Sequence, residues 1–105
     1  MTHAAPQRLE LSYASDGTIV LRGEVDMTTA PALRAVLVGG ADGTGGVLRI
    51  DLREVTYLDS AGLSLLYDHA RHLHLIAAPD TAVATVLEIG GLVAATTVEL
   101  LPPVP

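Results

Sequence analysis

The sequence contains no cysteine, lysine, tryptophan or phenylalanine. Without cysteine the chain can form no disulfide framework, no thiolate zinc site and no thiol nucleophile. Without lysine it can supply neither the lysine of a phosphate-binding P-loop nor a Schiff base. Half of the residues are nevertheless hydrophobic. A core is therefore possible, and it has to be built from Leu, Val, Ile and Ala.

Positive charge is also scarce. The formal net charge is −6, and all six basic residues are arginines, scattered along the chain at positions 8, 22, 34, 49, 53 and 71. Proteins bind nucleic acids and anionic membrane surfaces through clustered positive charge. We therefore expect neither nucleic acid nor membrane among the partners of this protein.

The length and the lack of long apolar runs bound the organisation of the chain. A sequence of 105 residues is typical of one domain, so we predict a single domain over residues 1–105, with residues 1–7 and 102–105 as flexible tails. The start of the chain has neither the charged nor the apolar region of a signal peptide. No apolar run is long enough to span a bilayer. These features predict a cytoplasmic protein.

Hydrophobic periodicity predicts alternating strands and helices. Strands are indicated over residues 8–13, 18–22, 47–52, 73–77 and 96–101, with loops over 23–26 and 41–46. A first helix would be capped by Asp26, Thr28 or Thr29 and end at 39–40, and a second would run from about Ser60 to the 69–72 region. A third would be capped by Asp80 and end at 90–91. The order ββαβαβαβ predicts an α/β fold, with three helices packed on a mixed sheet.

Residues 55–63 place an acid, a hydroxyl, a small residue and a glycine where the second helix should begin. Asp59 and Ser60 are both favoured N-cap residues, and if Asp59 is the cap, the Ser60 hydroxyl is left free at the surface. From these residues alone a capping hydroxyl and a free one are equal alternatives. A nucleophile elbow is excluded, because Leu58 stands where Gly-x-Ser-x-Gly requires its first glycine.

Histidines and aspartates are the other candidates for chemistry. His69 and His72 would share one helix face, with His74 in the next strand, but no fourth ligand has suitable spacing, so we predict no metal. Asp51 and Asp59 are explained more simply as a strand end and a helix cap than as paired catalytic carboxylates. We predict no enzyme and no cofactor. The tyrosines are predicted to be core or half-buried packing residues: Tyr13, Tyr57 and Tyr67.

Three segments together resemble one protein family. They are Gly23-Glu24-Val25-Asp26 with residues 29–33, the strand at 48–52 with residues 55–63, and residues 78–92. In these segments the chain resembles the STAS domain, and specifically the single-domain anti-sigma factor antagonists of bacteria. The resemblance covers nearly the whole chain, and the second segment is its most specific part.

The resemblance implies a regulatory function. The unphosphorylated domain would bind an anti-sigma factor, usually an ATP-dependent serine kinase, and so release a sigma factor. The kinase would phosphorylate Ser60, and a phosphoserine phosphatase would reset the switch. We expect the free N–H groups of the helix N-terminus to accommodate that phosphate. The resemblance also implies a partner-binding surface, in which Gly62 would admit the partner's backbone: Asp26, Asp59, Ser60, Ala61, Gly62 and Ser64.

Two other functions remain open. The domain could instead be a STAS subunit of another assembly, such as a stressosome or a lipid-transport complex, with Ser60 unmodified. It could also bind a nucleotide or another small ligand on the surface of Asp26, Asp59 and Ser60. One departure from the family is a shortening between Ser60 and Pro79 by about two helical turns, which predicts a smaller partner surface on the second helix.

Overall fold

The computed structural model describes residues 8–40 and 46–105. Within them the chain forms five strands, four α-helices and one 3₁₀ turn. The elements in order are β1 (Leu9–Tyr13), β2 (Ile19–Val25), α1 (Ala30–Gly40), β3 (Leu48–Leu58), α2 (Ser60–Asp68), the 3₁₀ turn (Ala70–His72), β4 (Leu73–Ala77), α3 (Ala82–Ile89), α4 (Leu92–Ala95) and β5 (Thr97–Leu100). None of the described helices is long and apolar enough to cross a membrane.

The five strands form one sheet in the order β1-β2-β3-β4-β5. The β1–β2 pair is antiparallel, and the pairs that follow are parallel. This confirms the predicted mixed sheet, with β3 at its centre. Each parallel step moves in the same direction across the sheet, so right-handed crossovers place the connecting helices on one face.

That face carries the hydrophobic core. Ile50 and Leu52 of β3 are fully buried, as are Leu33 of α1, Leu66 of α2 and Leu87 of α3. Burying a leucine or isoleucine side chain stabilises the fold by roughly 1.5–3 kcal/mol before entropy is counted. The core is aliphatic, as the composition requires, and all three tyrosines are exposed. The prediction of core or half-buried packing is wrong for Tyr13, which is 70% exposed, whereas Tyr57 and Tyr67 are each 52% exposed and lie outside the core.

Two strands are longer than predicted, because they pair with each other. Strand β2 continues through the predicted loop to Val25, and β3 continues to Leu58, where Val25 and Leu58 are partners across the sheet. Pairing satisfies backbone groups that a loop would leave to solvent. Gly23 has φ +114°, and a Cβ there would lie 2.1 Å from the carbonyl oxygen of Arg8. Only glycine fits this close approach.

The region after β4 differs in two details from the prediction. Asp80 has φ +62° and does not cap α3. Thr81 is the cap instead, and its hydroxyl accepts a hydrogen bond from the backbone N–H of Ala84 at 3.2 Å. The short helix α4 was not predicted, and it buries Leu92 against the core.

The predicted tails and surface loop lie partly outside the described residues. Residues 1–7 and 41–45 belong to that part. Residues 102–105 form no helix or strand. The Arg53 guanidinium donates a hydrogen bond to the carbonyl oxygen of Pro102 at 2.9 Å, which attaches the beginning of the C-terminal segment to β3.

Candidate functional site

The predicted site residues meet where β2 and β3 end. Val25 and Leu58 are register partners, and the backbone N–H of Asp59 donates to the carbonyl oxygen of Val25 at 3.1 Å. Asp26 and Asp59 therefore follow paired residues on neighbouring parallel strands. The structure brings together the two chain segments that were expected to border one surface.

Asp59 is the N-cap of α2. Its backbone is extended, with φ −97° and ψ −174°, and its carboxylate accepts hydrogen bonds from Ala61 N at 2.9 Å and Gly62 N at 3.1 Å. Ser60 is the first residue of the helix and is exposed. Its hydroxyl makes no hydrogen bond to any residue that the structure describes. Of the two alternatives for this turn, the structure thus selects the aspartate as cap and leaves the serine hydroxyl free.

The same cap changes the expected surroundings of a phosphate. The N–H groups of Ala61 and Gly62, which were expected to be free, are occupied by the Asp59 carboxylate. The N–H of Asp59 is used as well, by Val25. A phosphate on Ser60 would therefore meet a helix N-terminus that already holds one anion, and the expectation of free donors is wrong for these groups.

Asp26 is held by the turn that precedes α1. Its carboxylate accepts hydrogen bonds from the hydroxyl and N–H of Thr28 and from the N–H of Thr29, and it lies 2.6 Å from the Arg8 guanidinium. The Thr28 hydroxyl, followed by the backbone N–H groups and the charge of Arg8, lowers the pKa of Asp26 against the opposing effect of burial. The side chain is only 13% exposed. Asp26 therefore shapes the loop and offers little of its own surface.

Gly62 faces the interior rather than the solvent. A Cβ at this position would lie 2.4 Å from Val25 Cγ1 and 2.7 Å from Leu58 Cδ1. Glycine lets the first turn of α2 pack directly onto the ends of β2 and β3. The chain's own core thus requires a glycine here, whatever contact Gly62 makes with a partner.

Two shallow grooves flank α2. Ala61 lines one of them, and Ser64 lines the other. The first groove, of about 260 Å³, lies between α1 and α2: Met27, Ala30, Pro31, Arg34, Ala61 and Leu65. The second, of about 280 Å³, lies on the other side of α2: Leu63, Ser64, Tyr67, Asp68 and Gly90.

Each groove has one large exposed hydrophobic side chain that was not predicted to belong to the site. Met27 is 77% exposed and Tyr67 is 52% exposed. For Met27 a signal was available, since an apolar residue inside a polar capping turn has no local structural purpose. For Tyr67 no such signal exists, because its helical spacing also fits packing.

Similarity to known sequences assigns the chain to a protein family. The family model described as "Mlab, STAS domain" matches residues 12–101. The chain belongs to the STAS domain family.

Curated relatives of this STAS domain include anti-sigma-B factor antagonists. The one from Listeria monocytogenes is 47% identical over 47 residues, which is 45% of this chain and 41% of the relative. The one from Bacillus subtilis is 43% identical over 51 residues, which is 49% of this chain and 46% of the relative. The matching segment spans less than half the length of these relatives.

Solved structures support the fold over a wider range. An anti-sigma factor antagonist from Mycobacterium paratuberculosis is 27% identical with a TM-score of 0.71, covering 92% of this chain and 90% of that one. The anti-sigma factor antagonist SpoIIAA in its unphosphorylated form is 20% identical with a TM-score of 0.55, covering 89% and 88%. The latter likeness concerns the fold alone.

The remaining candidates of the STAS domain have structural partners. Asp51 lies within β3, eight positions before Asp59, so the two carboxylates are more than about 20 Å apart and cannot form a catalytic pair. His69 Nδ1 contacts the carbonyl oxygen of Leu65, and His74 Nε2 contacts Glu99 at 2.9 Å. In the described part of the chain no group of three or more His, Asp or Glu side chains could hold a metal ion.

Proposed function

We propose that this STAS domain is an anti-sigma factor antagonist whose binding is switched off by phosphorylation of Ser60. In the cytoplasm, the unphosphorylated domain binds an anti-sigma factor of the ATP-dependent serine kinase type and thereby releases a sigma factor. That kinase modifies Ser60, and a phosphoserine phosphatase restores it. One observation carries the proposal. In a chain whose relatives are named anti-sigma-B factor antagonists, the serine at the start of α2 is exposed, with a hydroxyl that no described residue uses.

The Asp59 cap explains why a phosphate would act on binding. A phosphoserine adds about −1.5 to −2 charges at pH 7. Two like charges ~4 Å apart repel by ~1 kcal/mol in water and by ~4 kcal/mol at an effective dielectric of 20. The Asp59 carboxylate is fixed beside Ser60 by its two hydrogen bonds, so it cannot turn away without uncapping α2. A partner would have to cover two adjacent anions, which lowers affinity by about a hundredfold or more.

The grooves beside α2 supply the apolar part of the proposed partner surface. Met27 and Tyr67 are large exposed side chains on either side of the helix that carries Ser60. Aromatic residues and methionine are enriched in protein interfaces, where a few such anchors carry most of the affinity. Ala61 lines the groove of Met27 and Ser64 lines the groove of Tyr67, and these residues lie one position and one turn after Ser60 on α2, so a partner that contacts both grooves lies next to Ser60.

The test uses a purified anti-sigma factor kinase from the same organism, ATP, and three variants. Ser60→Ala should bind the kinase whether or not ATP is present, and Ser60→Glu should bind at least about tenfold more weakly than the wild type. Ser64→Ala is the matched control for the site of phosphorylation only, because it removes a second exposed hydroxyl one turn further along α2 but belongs to the predicted partner surface. Intact mass after incubation should show one phosphate on wild type and Ser64→Ala and none on Ser60→Ala. Equal binding by Ser60→Ala, Ser60→Glu and the wild type would reject the switch.

The family model's description favours one alternative. It names Mlab and not an anti-sigma factor antagonist. The domain would then be a STAS subunit of another assembly, with Ser60 unmodified. Co-purification with that assembly from the native host, together with the absence of phosphate on Ser60, would support this alternative.

A nucleotide site on the Ser60 surface is less well supported. The two grooves measure about 260 and 280 Å³ and are shallow, whereas small-molecule sites usually enclose roughly 300–1,000 Å³. A calorimetric titration with ATP and GTP checks this directly, and heat of binding with either nucleotide would restore the idea.

A further inference from the structure

Another cleft lies at the end of the sheet where β3, β4 and β5 begin, whereas Ser60 lies at the opposite end, where β3 stops. Its volume is about 590 Å³, and it is open to solvent. The 3₁₀ turn and the end of α4 complete its walls with small apolar residues. Its polar lining includes Arg49, Arg71, His74 and Thr97.

Strand register aligns three of these residues. Arg49 pairs with His74 across β3 and β4, and His74 pairs with Thr97 across β4 and β5. Register partners in a parallel sheet point to the same face. Arg71 comes from the 3₁₀ turn immediately before β4. Four residues from four elements therefore line one cleft.

Internal contacts fix two of these side chains in place. Arg49 Nε donates to the Thr18 hydroxyl at 3.3 Å, and Arg49 Nη2 lies 3.8 Å from Glu99. His74 Nε2 contacts the same Glu99 carboxylate at 2.9 Å. Glu99 thus offsets the charge of Arg49, whereas Arg71 has no such partner among the described residues.

Arg71 differs from most other arginines of the chain in having no ion pair with a described residue. Arg8 lies 2.6 Å from Glu24 and Asp26, Arg22 lies 3.1 Å from Glu54, and Arg53 lies 2.8 Å from Asp51. The sequence holds 12 acidic residues against six arginines, so carboxylates are plentiful. An arginine without a carboxylate partner that lines the same cleft as a second arginine favours an anion as the ligand of this cleft.

We propose that this cleft binds a small dianion, a compound carrying a phosphate or two carboxylates. Arg71 and Arg49 supply the positive charge, and His74 and Thr97 supply further hydrogen-bonding groups. The site lies away from Ser60 and does not depend on the proposed switch. Binding at this cleft would make the domain respond to a metabolite of the cell, independently of the partner kinase.

The test is an NMR titration of ¹⁵N-labelled full-length protein at constant pH and ionic strength. The three probes are inorganic phosphate, pyrophosphate and succinate, which separate phosphate from carboxylate recognition. We expect saturable shifts of backbone amides at residues 47–49, 70–74 and 94–97 with at least one probe. Arg71→Gln should weaken that binding about tenfold, since it removes a charged hydrogen bond.

Arg34→Gln is the matched control. Arg34 is also exposed, helical and without an ion pair to any described residue, but it lines the groove beside Ala61. This variant should bind the probe like the wild type. The proposal is overturned if no probe gives saturable shifts, if the shifts lie elsewhere, or if both variants weaken binding equally, because equal loss would indicate only general charge attraction.

Discussion

Replacing Gly62 with alanine tests how closely α2 packs on the ends of β2 and β3. The added Cβ would lie 2.4 Å from Val25 Cγ1 and 2.7 Å from Leu58 Cδ1. Carbon atoms prefer a separation of about 3.5–4.0 Å, so these groups must move apart by about 1 Å. Val25 and Leu58 are both buried, with 0% and 5% exposure, and have little free space to move into.

The magnitude follows from two opposing effects. Overpacking a core costs about 1–3 kcal/mol. Alanine is the better helix former, which returns about 0.5–1 kcal/mol. We expect Gly62→Ala to lower the free energy of unfolding by about 1–2 kcal/mol, which corresponds to a fall in Tm of roughly 5–15 °C for a domain of this size. Urea denaturation followed by circular dichroism measures the change.

Gly39→Ala is the matched control, because Gly39 also lies in a helix but no atom of the described residues lies within 4 Å of the added Cβ. It should leave stability unchanged or raise it by up to about 1 kcal/mol. A Gly62→Ala protein as stable as Gly39→Ala would refute the close packing. A double-mutant cycle sharpens the test, since Val25→Ala should cost less in the Gly62→Ala background than in the wild type.

The same variant separates the two roles of Gly62. If the glycine serves the interior alone, Gly62→Ala should bind a partner normally at temperatures where it is folded. If it also admits a partner's backbone, as the family resemblance implies, affinity should fall by more than the unfolded fraction explains. Binding measured well below the Tm of the variant distinguishes these outcomes.

Two further predictions concern aspartates that the structure ties down. Asp59→Ala should destabilise the fold by about 1 kcal/mol in urea denaturation, because it removes the cap of α2, whereas Asp59→Asn retains a capping oxygen and should lose much less; equal losses would contradict the cap. Burial raises the pKa of Asp51, but hydrogen bonds from the Arg53 side chain and N–H outweigh it, so the folded pKa lies below the unfolded one. Asp51 therefore stabilises the fold above about pH 4 and loses this contribution as the pH falls through the folded pKa. The stability difference between wild type and Asp51→Asn should shrink between pH 6 and pH 3, and a constant difference would refute the assignment.

Much of the fold could be predicted from hydrophobic periodicity, because most strands and helices bury one face. Strand β4 has the predicted bounds, and the order of the main elements is as expected. The extension of β2 and β3 could not be predicted, because it depends on pairing between Gly23 and Val55. Those residues are 32 positions apart, and local sequence around Gly23 favours a loop.

The site shows the same division between local and tertiary information. That Asp59 or Ser60 would cap α2 could be predicted, since both residue types are favoured there. The choice between these two caps and the inward orientation of Gly62 depend on the packing of α2 on Val25 and Leu58. Local sequence does not reveal that packing. The exposure of Tyr67 is also a tertiary result, because the sequence does not show which side of α2 the other described elements leave uncovered.

The position of Arg34 gives the proposed switch a second way to act on partner binding. Arg34 lines the groove that also contains Ala61, the residue after Ser60, and makes no ion pair with a described residue. A phosphate on Ser60 that stays unpaired adds a dianion to the partner surface beside Asp59. A phosphate that attracts Arg34 removes this arginine from the groove that a partner would occupy. Both routes change the same surface while the buried core beneath α2 stays intact, so phosphorylation should alter binding far more than stability.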